Sequence, residues 1–101
     1  MSAVKYWTTR NDANHRNRHA QVGEVKFFAF PYQSYTSRVG DKLAIVGSTF
    51  SCCPDTQAVV KRWRVSILAC HPDGSNTTVS QHRADSADDA FTWAAGQLQQ
   101  A

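Results

Sequence analysis

Val60-Lys61-Arg62-Trp63-Arg64-Val65-Ser66-Ile67-Leu68-Ala69-Cys70 is the stretch on which the fold turns. Read with the two-residue period of an extended chain, Trp63, Val65, Ile67 and Ala69 fall on one side and Arg62, Arg64 and Ser66 on the other. That is the pattern of a strand with one face buried. His71-Pro72-Asp73-Gly74-Ser75-Asn76 follows, with a proline suited to open a turn and a glycine free to take positive φ, and residues 77–83 run back. The pattern predicts a β-hairpin. Further on, Ser86 with Asp89 three residues later is an acidic form of the capping box, and Asp88 and Asp89 complement the positive end of a helix dipole. Ala87, Ala90, Phe91, Ala94, Ala95 and Leu98 then recur at helical spacing, with Trp93 at the margin of the stripe. Gly96 costs about 1 kcal/mol relative to alanine and predicts a frayed last turn.

Upstream the signals are weaker. Val4 and Tyr6, flanked by Trp7 and Thr8, favour a first strand over residues 3–9. Residues 10–21 carry almost no apolar side chain and several turn-prone asparagines, which reads as a mobile basic loop spanning about 10–22. In residues 24–36, Val25, Phe27 and Ala29 alternate with Lys26, Phe28 and Phe30 until Pro31 interrupts the strand at an edge, a bulge or a break. Val39-Gly40-Asp41-Lys42 has turn chemistry, and residues 42–50 return through Leu43, Ile45 and Val46. Residues 51–57 read as a connection with one helical turn starting at Pro54. At 101 residues the chain holds one core and not two, so a single domain is expected over 1–101. Its expected class is α+β, an antiparallel sheet of four to five strands with a C-terminal helix packed on one face.

Composition excludes several classes of function. Apolar residues at 42% and charged residues at 19% are those of a globular chain, not a disordered one. The longest apolar runs, such as Leu43-Ala44-Ile45-Val46, fall far short of the roughly 18 residues that cross a bilayer, so no membrane association is expected. The first residues lack the apolar stretch of a secretory leader, from which a cytoplasmic location and reduced thiols are expected at Cys52, Cys53 and Cys70. His15 and His19 lie four apart, but adjacent Cys52 and Cys53 point to opposite sides of an extended chain, so no metal site is expected. Cys70 and His71, as neighbours on a strand, also face apart, and no P-loop, HExxH or GxGxxG is present. The reading is therefore of a non-enzymatic protein with no cofactor.

Charge points to binding. Residues 1–64 hold ten Lys and Arg against four Asp and Glu, whereas residues 65–101 hold one against four. With the helix covering one side of the sheet, Arg62 and Arg64 are expected on the uncovered side, joined by Arg16 and Arg18 from the loop as contacts to a partner. Trp63, Val65, Ile67, Phe91 and Leu98 are expected in the core. A small basic module docking on a larger protein is the first reading, and an exposed hairpin edge offers a place for two copies to pair. Direct nucleic-acid binding is the alternative, because Arg10, Arg16 and Arg18 accompany His15 and His19, and Lys61, Arg62 and Arg64 flank Trp63.

Residues 62–98, a strand, a Pro-Asp-Gly turn, a returning polar strand and Ser-Ala-Asp-Asp before an amphipathic helix, resemble the layout of small phage-encoded proteins that include anti-CRISPR inhibitors. The resemblance is one of length, order and style, and it transfers no functional residue. It implies an inhibitor that docks on a CRISPR-Cas complex, a larger protein or ribonucleoprotein, and blocks DNA access or nuclease recruitment in the host cytoplasm. The basic balance departs from the acidic inhibitors that mimic DNA.

Overall fold

The structure, a computed structural model, describes residues 4–10, 15–31, 33–52 and 59–99. Its strands follow one another as an antiparallel meander: β1 (Val4–Arg10), β2 (Arg16–Val22), β3 (Val25–Ala29), β4 (Tyr35–Val39), β5 (Lys42–Cys52), β6 (Val59–Cys70) and β7 (Asn76–Ala84). One helix, α1 (Ala87–Gln99), closes the chain and packs against the sheet. The class is α+β, but the sheet has seven strands where four to five were expected.

β2 and β4 make the difference. Arg16 to Val22 is strand, not loop, although only Ala20 and Val22 are apolar. Ala20 is fully buried, and on the other face the His19 ring does the work of an apolar side chain by stacking 5.0 Å from Trp7. β1 and β3 pair with β2 along both sides, so backbone hydrogen bonding and these few contacts override its polar composition. Arg10, also assigned to the loop, ends β1. At Pro31 the chain breaks and turns, with Gln33 N–H donating to the Phe30 carbonyl at 3.1 Å, and returns as a separate strand, β4. Gly40 then takes φ 62°, which a two-residue connection between paired Val39 and Lys42 requires. The helical turn expected at Pro54 lies outside the described residues.

The β6–β7 hairpin forms where its turn residues place it. His71 N–H donates to the Ser75 carbonyl at 2.9 Å and Gly74 N–H to the His71 carbonyl at 3.0 Å. Asp73 accepts the Ser75 hydroxyl at 2.6 Å and amide at 2.9 Å, bonds that hold its carboxyl below the usual range. A bulge at Val79 then changes the pairing: Leu68 faces Thr78, but Ile67 faces Ser80. Past the bulge, Val65 faces His82 and Arg64 faces Arg83.

α1 begins at its cap. Ser86 Oγ accepts the Asp89 amide at 3.2 Å, and the Ser86 carbonyl accepts the Ala90 amide at 3.2 Å. Ala90, Phe91, Ala94, Ala95 and Leu98 are buried, and the alanines let the helix approach the sheet closely. Phe91 fills the centre, with the rings of Tyr35, Phe27, Tyr6 and Trp63 at 4.9, 5.1, 5.8 and 5.9 Å. The helix has no basic residue in its last turn; Lys42 of β5 supplies the charge, donating from Nζ to the Gln97 carbonyl at 3.4 Å. α1 touches both edge strands, β1 and β7, so the sheet curls around it with the helix on the concave side.

Candidate nucleic-acid interface

Every Lys and Arg of the chain lies in a strand, and among the described residues no strand contains an Asp or Glu. The described acids are confined to turns, to the approach to α1 and to its first turn. Strand alternation then sorts the cations. Val4, Ala20, Phe27, Val46 and Val65 face the helix, which puts Lys5, Lys26, Arg38, Arg62, Arg64 and Arg83 on the convex side.

Between these cations runs a row of side chains in direct register across the whole sheet: Trp7, His19, Phe28, Thr36, Ile45, Ser66 and Gln81. His19 stacks on Trp7 and meets Phe28 edge-on at 5.1 Å, while Phe28 meets Phe30 edge-on at 4.8 Å. Thr9 Oγ1 holds the His19 Nε2 at 2.8 Å, which commits that ring to the aromatic row. Phe30 remains 56% exposed at its end. Gly47, Arg64 and Arg83 form the next row, about 7 Å along the strands, with Thr49 and Arg62 beyond.

Arg62, Arg64 and Arg83 are exposed and surround a depression of about 250 Å³ that also touches Thr49 and Trp63. A second depression, about 180 Å³, flanks Arg64 on the other side, over Ser34, Ile45 and Gly47. Gly47 lets Ser34 pack closely over β5: a Cβ there would stand 2.9 Å from Ser34 Oγ. Arg64 and Arg83 lie directly opposite each other, an arrangement that costs stability in a sheet. Among the described residues no side-chain hydrogen bond or ion pair engages the three guanidinium groups.

The four arginines read from the sequence do not share a face. Arg62 and Arg64 stand on the uncovered side as expected. Arg18 projects to the helix side of β2, donating to the Gln33 carbonyl at 2.6 Å with its guanidinium 5.1 Å over the Tyr35 ring. Arg16, opposite Arg10 at the open end of β1–β2, is on the same side as Arg18 and is exposed. The meander nevertheless brings all four to one end of the molecule, where β1 and β5 end and β2 and β6 begin. Trp63, expected in the core, is half-buried at its margin.

Arg83 and the Trp7–His19–Phe28 row escaped sequence reading. Counting back from the turn with Cys70 opposite Asn76 would place Arg83 beside Trp63, under the helix; only the bulge turns it outward. The aromatic row was hidden because β2 was not recognised, although the period-2 placement of Lys5, Trp7 and Thr9 was a usable signal. Compared with known proteins, the chain matches no family model, no curated protein and no solved structure.

Proposed function

We propose that the protein binds single-stranded nucleic acid along the convex face of its sheet. One observation carries the reading: a register row with rings at the β1–β3 end, bordered by Lys5, Lys26 and Arg38 on one side and by Arg64 and Arg83 beside its β6–β7 end on the other, on a face whose described strands hold no carboxylate. Single-strand binding needs this combination, because bases stack on rings of any sequence context while cations track the phosphates. The unpartnered Arg64–Arg83 pair adds support, since a phosphate between the two relieves a repulsion the free protein tolerates. In this reading the protein is non-enzymatic and needs no cofactor.

The test is a mobility shift on short single strands over a salt series, with the R62E/R64E variant beside the parent protein. Binding at low salt that falls steeply as salt rises is expected, and the variant should lose it with its melting temperature nearly unchanged. Unaltered affinity would remove both arginines from the site. No shift even at low salt would dismiss the reading.

A second reading, a stoichiometric inhibitor of the anti-CRISPR kind, draws on the half-buried Phe28, Leu43, Ile45 and Leu68 among the same arginines. Aromatic and aliphatic anchors beside Arg are the composition of protein interfaces. Its docking partner would be a larger protein or ribonucleoprotein in the host cytoplasm. Affinity capture with and without nuclease separates the two: nuclease-resistant recovery of a protein favours docking. Pairing of two copies through the β7 edge has less to support it, because the Val79 bulge and Arg83 are features that turn an edge away from a further strand.

A further inference from the structure

The convex depression of about 250 Å³ around Arg62, Arg64 and Arg83 sits where the register row runs out. β7 is the last strand of the sheet, and its Arg83 faces Arg64 of β6. Arg62 lies two residues before Arg64 on the same face of β6, about 7 Å along the strand, and all three side chains line the one depression. Across Arg64 is the smaller depression of about 180 Å³ over Ile45, Gly47 and Ser66. Arg64 and Thr49 line both, so the two form one track. Ile45 and Ser66 belong to the row that begins with Trp7, His19 and Phe28, and from Phe28 to Ser66 that row crosses three strand spacings, about 14 Å. A chain that follows the row away from the rings therefore passes over the smaller depression, meets the arginines and reaches the edge of the sheet.

The number of arginines selects the kind of phosphate. A diester inside a strand carries one negative charge and offers two free oxygens. A monoester at a strand end carries about 1.5 to 2 negative charges near neutral pH and offers three acceptor oxygens, so three guanidinium groups match it oxygen for oxygen. All three arginines are exposed, and among the described residues none is engaged by a side-chain hydrogen bond or an ion pair, which leaves their N–H donors to a ligand. Arg64 opposite Arg83, with Arg62 beside them, is a concentration of like charge that a single diester relieves only in part.

We infer that this depression seats a terminal phosphate monoester, the phosphorylated end of a strand whose bases lie on the ring row. The preference for a monoester follows from the three arginines; that a nucleic-acid strand bears it rests on the proposed function. The same group stands at a 5′-phosphorylated and at a 3′-phosphorylated end, and the two differ in the direction in which the strand crosses the sheet.

Fluorescence anisotropy at low salt tests this with one short strand, labelled at an internal base and carrying hydroxyls at both ends, a 5′-phosphate or a 3′-phosphate. Arg62→Gln and Arg83→Thr each remove one member of the seat, and Lys26→Gln removes a cation at the ring end of the row; thermal melting checks that every variant is folded. A phosphorylated strand is expected to bind about tenfold more tightly than the hydroxyl-ended one. The gain should vanish in both arginine variants and persist in Lys26→Gln, which weakens the three strands alike, and the end that gives the gain fixes the direction of the strand. Equal affinity of the three strands for the parent protein overturns the inference and leaves the proposed function standing, with the arginines on internal phosphates. A gain that survives both Arg62→Gln and Arg83→Thr also overturns it, because the monoester is then held elsewhere. Failure of all three strands to bind defeats the proposed function and the seat with it.

Discussion

The two sides of the sheet are built from the same strands and obey opposite rules. On the concave side Ala20, Phe27, Val46 and Val65 are at most 1% exposed and interlock with α1 around Phe91. On the convex side the intervening residues set rings, aliphatic side chains and cations side by side, and Arg64 faces Arg83 without a counter-charge among the described residues. The first side is arranged for stability, and the second tolerates a local repulsion that a stability-driven sheet would have replaced. That difference is the reason to look for a ligand on the convex side.

The largest effect that separates the sides is a cavity under the helix. Phe91→Ala removes the ring that meets Tyr6, Phe27, Tyr35 and Trp63, and is expected to cost about 3–5 kcal/mol, a large part of the stability of a domain this size. Denaturant unfolding measures it. A loss under about 1 kcal/mol would mean that the helix is not the organiser of the concave core.

The concave side was also the legible one. The cap at Ser86, the helical stripe and the alternation of residues 63–69 each state a buried face in apolar residues, and the helix and β6 formed as those patterns require. β2 states its face in one alanine and one valine, so its strand is fixed by neighbours on both sides that no local window contains. The convex site is worse placed for reading, because polar periodicity has no driving burial to enforce it. Arg83 shows why: its side of the sheet depends on one unpaired residue, Val79, whose presence nothing in the hairpin sequence announces.

A smaller effect tests the seam between edge strand and helix. Tyr6 Oη donates to Asp88 Oδ1 at 2.5 Å, and burial first, then this bond and the Asp88 charge, raise the phenol well above its ordinary value. A raised phenol pKa means the neutral form is favoured in the folded state. Its contribution is therefore complete below about pH 10 and is lost as pH climbs from there toward the folded value. Tyr6→Phe should cost about 1 kcal/mol at neutral pH and flatten the alkaline fall of stability, leaving the share due to Tyr35. An unchanged alkaline slope would show that the bond does not hold β1 to the helix.

The smallest effect is the most telling, because its sign differs between the two sides. Every truncation on the concave side is expected to destabilise. Arg83→Thr, on the convex side, removes one member of a like-charged cross-strand pair and puts a strand-favouring residue in its place, so it should stabilise the fold by roughly 0.2–1 kcal/mol. The same change should weaken single-strand binding and make its log–log salt dependence shallower by about 0.7, the share of one phosphate contact. A gain in stability joined to a loss of binding is the signature of a residue kept for a ligand. Were Arg83→Thr to destabilise the protein, the guanidinium would be part of the architecture, and the repulsion between Arg64 and Arg83 could no longer be read as a place prepared for an anion.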